Sequence, residues 1–316
     1  MAQTAVIYHP DFELHDTGNS HPETRSRARI IYDFIKNSDI NHELAWLKPE
    51  PVDLRWIKKN HGVDYINHVE NACLSGENII DQGDTKACPA SFEIARLAAG
   101  AAIKGVDHVM NNEFKNAFCC CRPPGHHALH RSAMGFCFFN NIAIAARYAQ
   151  EKYAINKILI IDWDVHHGNG TQDSFYEDSS VFFFSTHQYP FYPGTGAAEE
   201  KGAGAGMGYT LNIPMRAGAN IESYRHAFNL SLAPAAEKFR PDLILISAGF
   251  DAHRDDPLAA ISLEDEDFGE LTTLVVDIAE RFCHGRIVSV LEGGYNLSAL
   301  PRSVYQHLNI LKSVTP

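Results

Sequence analysis

Between Asp162 and His167 the chain crowds two carboxylates and two imidazoles into six positions, directly after the apolar run Lys157-Ile158-Leu159-Ile160-Ile161. If that run is a buried strand, Asp162, Asp164 and His166 follow at i, i+2 and i+4 and share one face. They would then converge at the strand's C-terminal mouth, where open α/β sheets keep their ligands. Three buried polar groups in a row are costly unless something pairs them, and a divalent cation does so.

The loops after other apolar runs carry the remaining polar groups. Ala117 to Cys121 is followed by Arg122-Pro123-Pro124-Gly125-His126-His127-Ala128, and Leu243 to Ser247 by Ala248-Gly249-Phe250-Asp251-Ala252-His253. Ile287 to Leu291 is followed by Glu292-Gly293-Gly294-Tyr295-Asn296. Asp164, His166 and Asp251 would supply three hard or borderline ligands and leave room on the metal for water and substrate. Such an open site lowers the pKa of water and polarises a carbonyl. His126 and His127 offer proton transfer beside it, and Tyr295 can donate to the oxyanion of a tetrahedral intermediate. The chemistry is metal-assisted hydrolysis of an amide. Asp251-Ala252-His253-Arg254-Asp255 mimics half of a dinuclear site, but the earlier motif continues to Asn169 with no fourth acid in register. A single catalytic ion is expected.

To position these loops the chain needs a sheet. Strands are predicted over Ala5–Tyr8, Ala117–Cys121, Lys157–Ile161, Val181–Ser185, Tyr209–Ile213, Leu243–Ser247 and Ile287–Leu291. Helices are predicted over Glu23–Ile35, Ser91–Met110, Phe139–Glu151, Ile221–Phe239, Asp265–Phe282 and Ser298–Leu311. This alternation argues for one α/β domain over residues 1–316, a mostly parallel sheet covered by helices on both faces. The glycine-rich run Gly202 to Gly208 precedes a strand instead of opening a helix, the wrong context for a dinucleotide fingerprint, and reads as a loop.

A formal net charge of −12 argues against nucleic-acid binding, which calls for a basic face. No apolar run reaches the ~20 residues of a membrane span, and the N-terminus lacks a signal core. The seven cysteines show no Cys-x-x-Cys spacing, and Cys119, Cys120 and Cys121 are consecutive. Reduced thiols and a cytoplasmic location are expected.

Arg-Pro-Pro-Gly-His-His-Ala, Gly135-Phe136-Cys137-Phe138-Phe139-Asn140, Asp162-Trp-Asp-Val-His-His-Gly-Asn-Gly-Thr-Gln172, Tyr192-Pro193-Gly194-Thr195-Gly196 and Leu291-Glu-Gly-Gly-Tyr-Asn-Leu297 occur in that order. Together they resemble the histone deacetylase family, class II in flavour, and the resemblance runs from about Tyr8 to Leu297. It implies the single-domain, three-layer arginase/deacetylase fold and zinc as the metal, although two aspartates and one histidine also accept Fe2+. It implies Asp164, His166 and Asp251 as ligands, His127 as general base and then acid, His126 as its electrostatic partner, and Tyr295 as oxyanion donor. Asp162 matches the residue that orients His126; Asn169 stands where class I members carry an aspartate behind His127. Gly135, Phe136 and either Tyr189 or Phe191 match the walls of an acyl-lysine tunnel. Two structural potassium sites are implied as well. The inner one draws on Asp162, Asp164, His166, Ser185 and Thr186, the outer one on Phe175, Asp178, Val181 and Tyr209.

The expected substrate is an acetylated lysine peptide or a small acylated amine. An acetylpolyamine amidohydrolase is the rival enzymatic reading. Leu258 stands where one polyamine-selective relative has a glutamate, which leans toward acyl-lysine peptides or small neutral acyl compounds, although Asp81, Asp84 or Glu77 could still supply a charge at the rim. A catalytically dead acyl-lysine binding module is the third reading. Acyl chain length and oligomeric state, a homo-oligomer included, are left open at this level.

Overall fold

The strands are built from short β-branched and aromatic runs that suit a surface covered on both faces. The computed structural model describes residues 3–81 and 83–314. Its strands are β1 (Thr4–Ile7), β2 (Leu44–Leu47), β3 (Asn116–Cys119), β4 (Ile158–Asp162), β5 (Val181–Gln188), β6 (Thr210–Met215), β7 (Leu243–Ala248) and β8 (Ile287–Leu291). They form one sheet in the order β2-β1-β3-β8-β7-β4-β5-β6. Every neighbouring pair is parallel, so all C-terminal ends open on one edge.

The helices are α1 (Arg27–Lys36), α2 (Leu54–Ile57), α3 (Val63–Ser75), α4 (Ser91–Met110), α5 (Asn141–Tyr153), α6 (Asn169–Phe175), α7 (Ile221–Ala227), α8 (Ala233–Phe239), α9 (Asp265–Cys283) and α10 (Ala299–Leu311). Helices α4 and α5 pack together over β1, β3, β8 and β7, while α9, α10 and α1 form a second packed set. One apolar cluster runs through the sheet and both helical layers, and Cys119, Cys120 and Cys121 are buried in it as free thiols. The three-layer α/β architecture expected from the sequence is the one observed.

Several elements depart from expectation. The predicted helix over 221–239 is broken by a π turn at Phe228–Leu232. Pro234 follows it in the first turn of α8, and a proline there has no N–H to continue the regular ladder. The predicted helix over 23–35 begins only at Arg27, because Glu23 is buried and held by Arg27 and Arg122. Strand β2 and helices α2, α3 and α6 are additions: β2 and α2 have four residues each, too few to show a period, while α3 buries Tyr65, Ile66, Val69, Ala72 and Cys73 at helical spacing. No helix among the described residues is long and apolar enough to cross a membrane.

Candidate active site

Strand β4 ends at Asp162, so the period-two argument reaches that residue alone. Asp164 and His166 lie in the turn beyond it. The turn closes because Asp162 Oδ1 accepts the Asp164 N–H at 3.1 Å and Asp164 Oδ1 accepts the His166 N–H at 3.0 Å. Short carboxylates that capture an amide two residues on bend the chain in this way. This turn, and not strand periodicity, brings Asp164 and His166 together with Asp251, while Asp162 turns a carboxylate oxygen to His126 instead of joining them.

Asp164 and Asp251 are fully buried and His166 is nearly so. One ligand-type atom from each of the three lies within 4.8 Å of the other two. His166 Nδ1 is 3.2 Å from Asp164 Oδ1 and 3.1 Å from Asp251 Oδ2. The remaining carboxylate oxygens are tied back: Gly293 N–H donates to Asp164 Oδ2 at 2.7 Å, and Val165 N–H to Asp251 Oδ1 at 2.8 Å. One oxygen of each acid and one imidazole nitrogen therefore face a common point, a donor set that fits a divalent ion of the zinc or iron(II) kind. Burial works against a charged His166, yet the flanking Asp164 and Asp251 hold it up to about 10. Asp251 itself is pushed up to about 7 by burial and by Asp164. This is a pocket that attracts positive charge. His253 takes no part, since its Nε2 turns to Asp265 at 3.2 Å.

The loop after β3 carries His126 and His127 side by side, their rings 4.0 Å apart. Burial acts on both, but their partners differ. His126 Nδ1 meets Asp162 Oδ2 at 3.0 Å; Asp164 and Asp162 outweigh burial and lift His126 to about 10. His127 Nδ1 meets the neutral Asn169 Oδ1 at 2.7 Å. Burial, His126 and His166 push it well below its ordinary value. Neighbouring titratable groups driven in opposite directions mark an acid/base pair.

Tyr295 is 9% exposed at a cavity of about 190 Å3 that His127 and His166 also line. Burial keeps its phenol protonated, well above the ordinary range. Gly135, Phe136, Phe191, Tyr192, Leu258 and Asp84 complete the lining. Phe191 stacks on His166 with ring centroids 5.6 Å apart, and Phe136 meets Tyr295 edge-on at 5.8 Å. Tyr189 is not part of the wall. Its N–H donates to Met215 O at 2.8 Å, continuing the β5–β6 ladder, and its ring lies 6.4 Å from His187. The chain turns toward the cavity only after Pro190, so Phe191 and Tyr192 form that side.

Of the potassium candidates, Ser185 stands directly opposite Asp162 in the β4–β5 register and shares its face. Thr186, one residue on, projects its side chain to the other face and could offer only its carbonyl there. Phe175 ends α6, Val181 opens β5, and Tyr209 precedes β6, with Asp178 in the connection between α6 and β5. Asp178 spends both carboxylate oxygens on Ser180 and Arg147.

Three residues with a part in the site carried no assigned task in the sequence. Glu292 is buried and accepts the N–H groups of Gly125 at 2.7 Å and His126 at 3.1 Å. Burial raises it to about 7. Arg27 donates to Gly294 O at 2.7 Å and Glu292 O at 2.6 Å, with its guanidinium 4.8 Å from the Tyr295 ring centroid. Gly293 leaves no room for a side chain: a Cβ would lie 2.0 Å from Asp251 Oδ2 and 2.6 Å from Asp164 Oδ2. The signal for Glu292 and Gly293 was their place in the motif before Tyr295; Arg27, 265 residues from Glu292 in sequence, had none.

Comparison with known proteins places this arrangement. The histone deacetylase domain model matches residues 21–311. A probable deacetylase of Archaeoglobus fulgidus is 40% identical over 314 residues, covering 98% of this chain and 86% of that protein. Human polyamine deacetylase HDAC10 is 36% identical over 316 residues, covering 95% of this chain and 47% of the relative. The crystal structure of the HDA15 HD domain matches with a TM-score of 0.94 at 35% identity, covering 100% of this chain and 91% of that one. With that extent of likeness and this fold, the chain belongs to the histone deacetylase domain family and is a hydrolytic deacetylase.

Proposed function

We propose that this deacetylase cleaves the acyl amide of Nε-acetyl-lysine side chains, with His127 moving the proton and Tyr295 donating to the oxyanion. The observation that carries the reading is the cavity. Its aromatic and aliphatic walls suit a chain of methylenes, and His127, His166 and Tyr295 line the same space. Asp164, His166 and Asp251 would hold the metal. When bound, a divalent ion such as zinc polarises the amide carbonyl and acidifies water.

His127 does the proton work. Its Nδ1–H is committed to Asn169, which leaves Nε2 with the lone pair, and its low pKa keeps it neutral. Nε2 takes the proton of the attacking water and returns it to the leaving amine. Tyr295, still protonated, donates its hydroxyl hydrogen to the carbonyl oxygen as negative charge develops. His126, paired with Asp162, stays charged and biases its neighbour by repulsion. Potassium near Asp162 and Ser185 would offset the clustered acids; it, like a cytoplasmic location, belongs to this reading.

A polyamine deacetylase is the second reading, supported by Asp84 in the cavity lining, which could meet a distal ammonium, and by the relative named for that activity. Leu258 argues the other way, because it lines the same cavity with a hydrocarbon side chain. Measuring kcat/KM for an acetyl-lysine peptide against N-acetylputrescine decides between them. Preference for the peptide supports the first reading; preference for the polyamine replaces it with the second.

A further inference from the structure

The segment that carries Tyr295 has little of its own to hold it. It leaves β8 through Gly293 and Gly294, and Gly294 adopts φ +118°, a conformation side-chain-bearing residues rarely take. On one side Arg27 holds the carbonyls of Glu292 and Gly294. The Gly293 amide goes to Asp164, and those of Tyr295 and Asn296 go to one other acid.

Asp256 Oδ2 accepts the Tyr295 N–H at 2.7 Å and the Asn296 N–H at 3.3 Å. Its other oxygen, Oδ1, accepts the Leu258 N–H at 3.0 Å. Asp256 is 6% exposed and is not among the residues that line the cavity, whereas Tyr295 and Leu258 both are. One buried carboxylate thus joins the backbone of Tyr295 to the backbone of Leu258, two residues whose side chains line the same cavity. The neighbouring Asn296 Nδ2 donates to Asp255 O at 2.8 Å and staples the same two segments.

We propose that Asp256 is a positioning residue that sets the Tyr295 hydroxyl and the Leu258 side chain as one unit. The task suits a carboxylate in particular. Three amide hydrogens arrive from two directions, and a carboxylate offers two acceptor oxygens with lone pairs to spare. An asparagine would keep one oxygen and turn an NH2 group against at least one amide, leaving donors unpaired in a buried place. Tyr295 would then lose its fixed distance to the reacting carbonyl, and oxyanion stabilisation depends on that distance. The inference rests on the oxyanion role proposed above for Tyr295.

The test is a double-mutant cycle on the full chain with Asp256→Asn, Tyr295→Phe and the pair, read as kcat and KM on an acetyl-lysine peptide. Asp256→Asn is expected to lower kcat about 10- to 100-fold with KM within about 3-fold. Added to Tyr295→Phe it should cost nothing further, because the hydroxyl it positions is already gone. Hydrogen exchange supplies a readout independent of turnover: the 293–297 segment should exchange faster in Asp256→Asn while β8 stays protected. A pair whose loss is the full product of the two single losses, or an Asp256→Asn protein with normal kcat, overturns the proposal. If Tyr295→Phe alone changes nothing, the oxyanion role fails, and the exchange result still decides whether Asp256 holds the segment. Should Asp256→Asn not fold, Asp256→Glu replaces it, keeping both oxygens one methylene out of place, with the same cycle and the same outcomes.

Discussion

Nδ1 of His127 lies 2.7 Å from Oδ1 of Asn169, the first residue of α6. A neutral amide here orients the imidazole without stabilising its protonated form as a carboxylate would. Asn169→Asp should raise the His127 pKa. The base works deprotonated, so the acid limb of the kcat/KM profile should move to higher pH, by roughly one unit. An unmoved limb would separate Asn169 from the proton step.

Tyr295 faces the cavity beside Phe136 with its phenol held protonated by burial. Removing the hydroxyl in Tyr295→Phe should lower kcat roughly 10²–10³-fold, as for other oxyanion donors, and change KM little. Unchanged turnover contradicts the role.

Leu258 lines the cavity. Leu258→Glu would place a carboxylate there and should shift the kcat/KM ratio toward N-acetylputrescine over an acetyl-lysine peptide by about tenfold or more, near 1.4 kcal/mol. If the ratio does not move, this position does not select substrate charge.

Gly293 approaches both metal-site acids so closely that an added Cβ would fall 2.0 Å from Asp251 Oδ2. Gly293→Ala should therefore lose stoichiometric zinc, measured by atomic absorption after dialysis, while circular dichroism still reports a folded sheet. Full zinc content in the variant would show that the loop yields.

His307 is buried between Thr272 Oγ1 at 2.7 Å and Ser289 Oγ at 2.9 Å, and burial lowers it to about 3. Its folded pKa lies below the unfolded value, so its full contribution to stability is present above about pH 6.5 and drains away as pH falls toward 3. The loss approaches 1.4 kcal/mol per pH unit, roughly, for each such histidine. His15, lowered to about 3 by burial and Arg122, and His61, lowered to about 3 by burial, act in the same direction. Urea unfolding of His307→Gln between pH 6 and 4.5 should show a shallower slope than the parent; equal slopes contradict the argument.

The sheet and the site were legible to different depths. Strands β3, β4, β7 and β8 announce themselves because buried parallel strands read as continuous apolar runs, and each ends at the loop that carries a polar motif. Strand β2 lies on the edge with only four residues and leaves no local signature, whereas α3 carries one, Tyr65, Ile66, Val69, Ala72 and Cys73 at helical spacing, that the expectation passed over. Asp162, Asp164 and His166 were identifiable by type and spacing, yet the turn that joins them depends on carboxylate-to-amide bonds that periodicity does not describe. Tyr189 misled because a motif resemblance names a neighbourhood, while the β5–β6 ladder decides which side chain reaches the cavity. Arg27 and Asp256 were silent because what they hold around Tyr295 is the backbone of a distant segment, whereas Glu292 stood in a legible motif without a task of its own.

The central claim is metal-dependent amide hydrolysis with His127 and Tyr295 as the working side chains. It is tested most directly by turnover of a fluorogenic acetyl-lysine peptide by chelator-stripped protein, before and after one equivalent of Zn2+, in the parent, His127→Ala and Tyr295→Phe. The account predicts activity that returns with zinc in the parent and stays at least a hundredfold lower in both variants, on the order expected for losing a proton shuttle or an oxyanion donor. Equal activity with and without zinc, or variants as active as the parent, would contradict it.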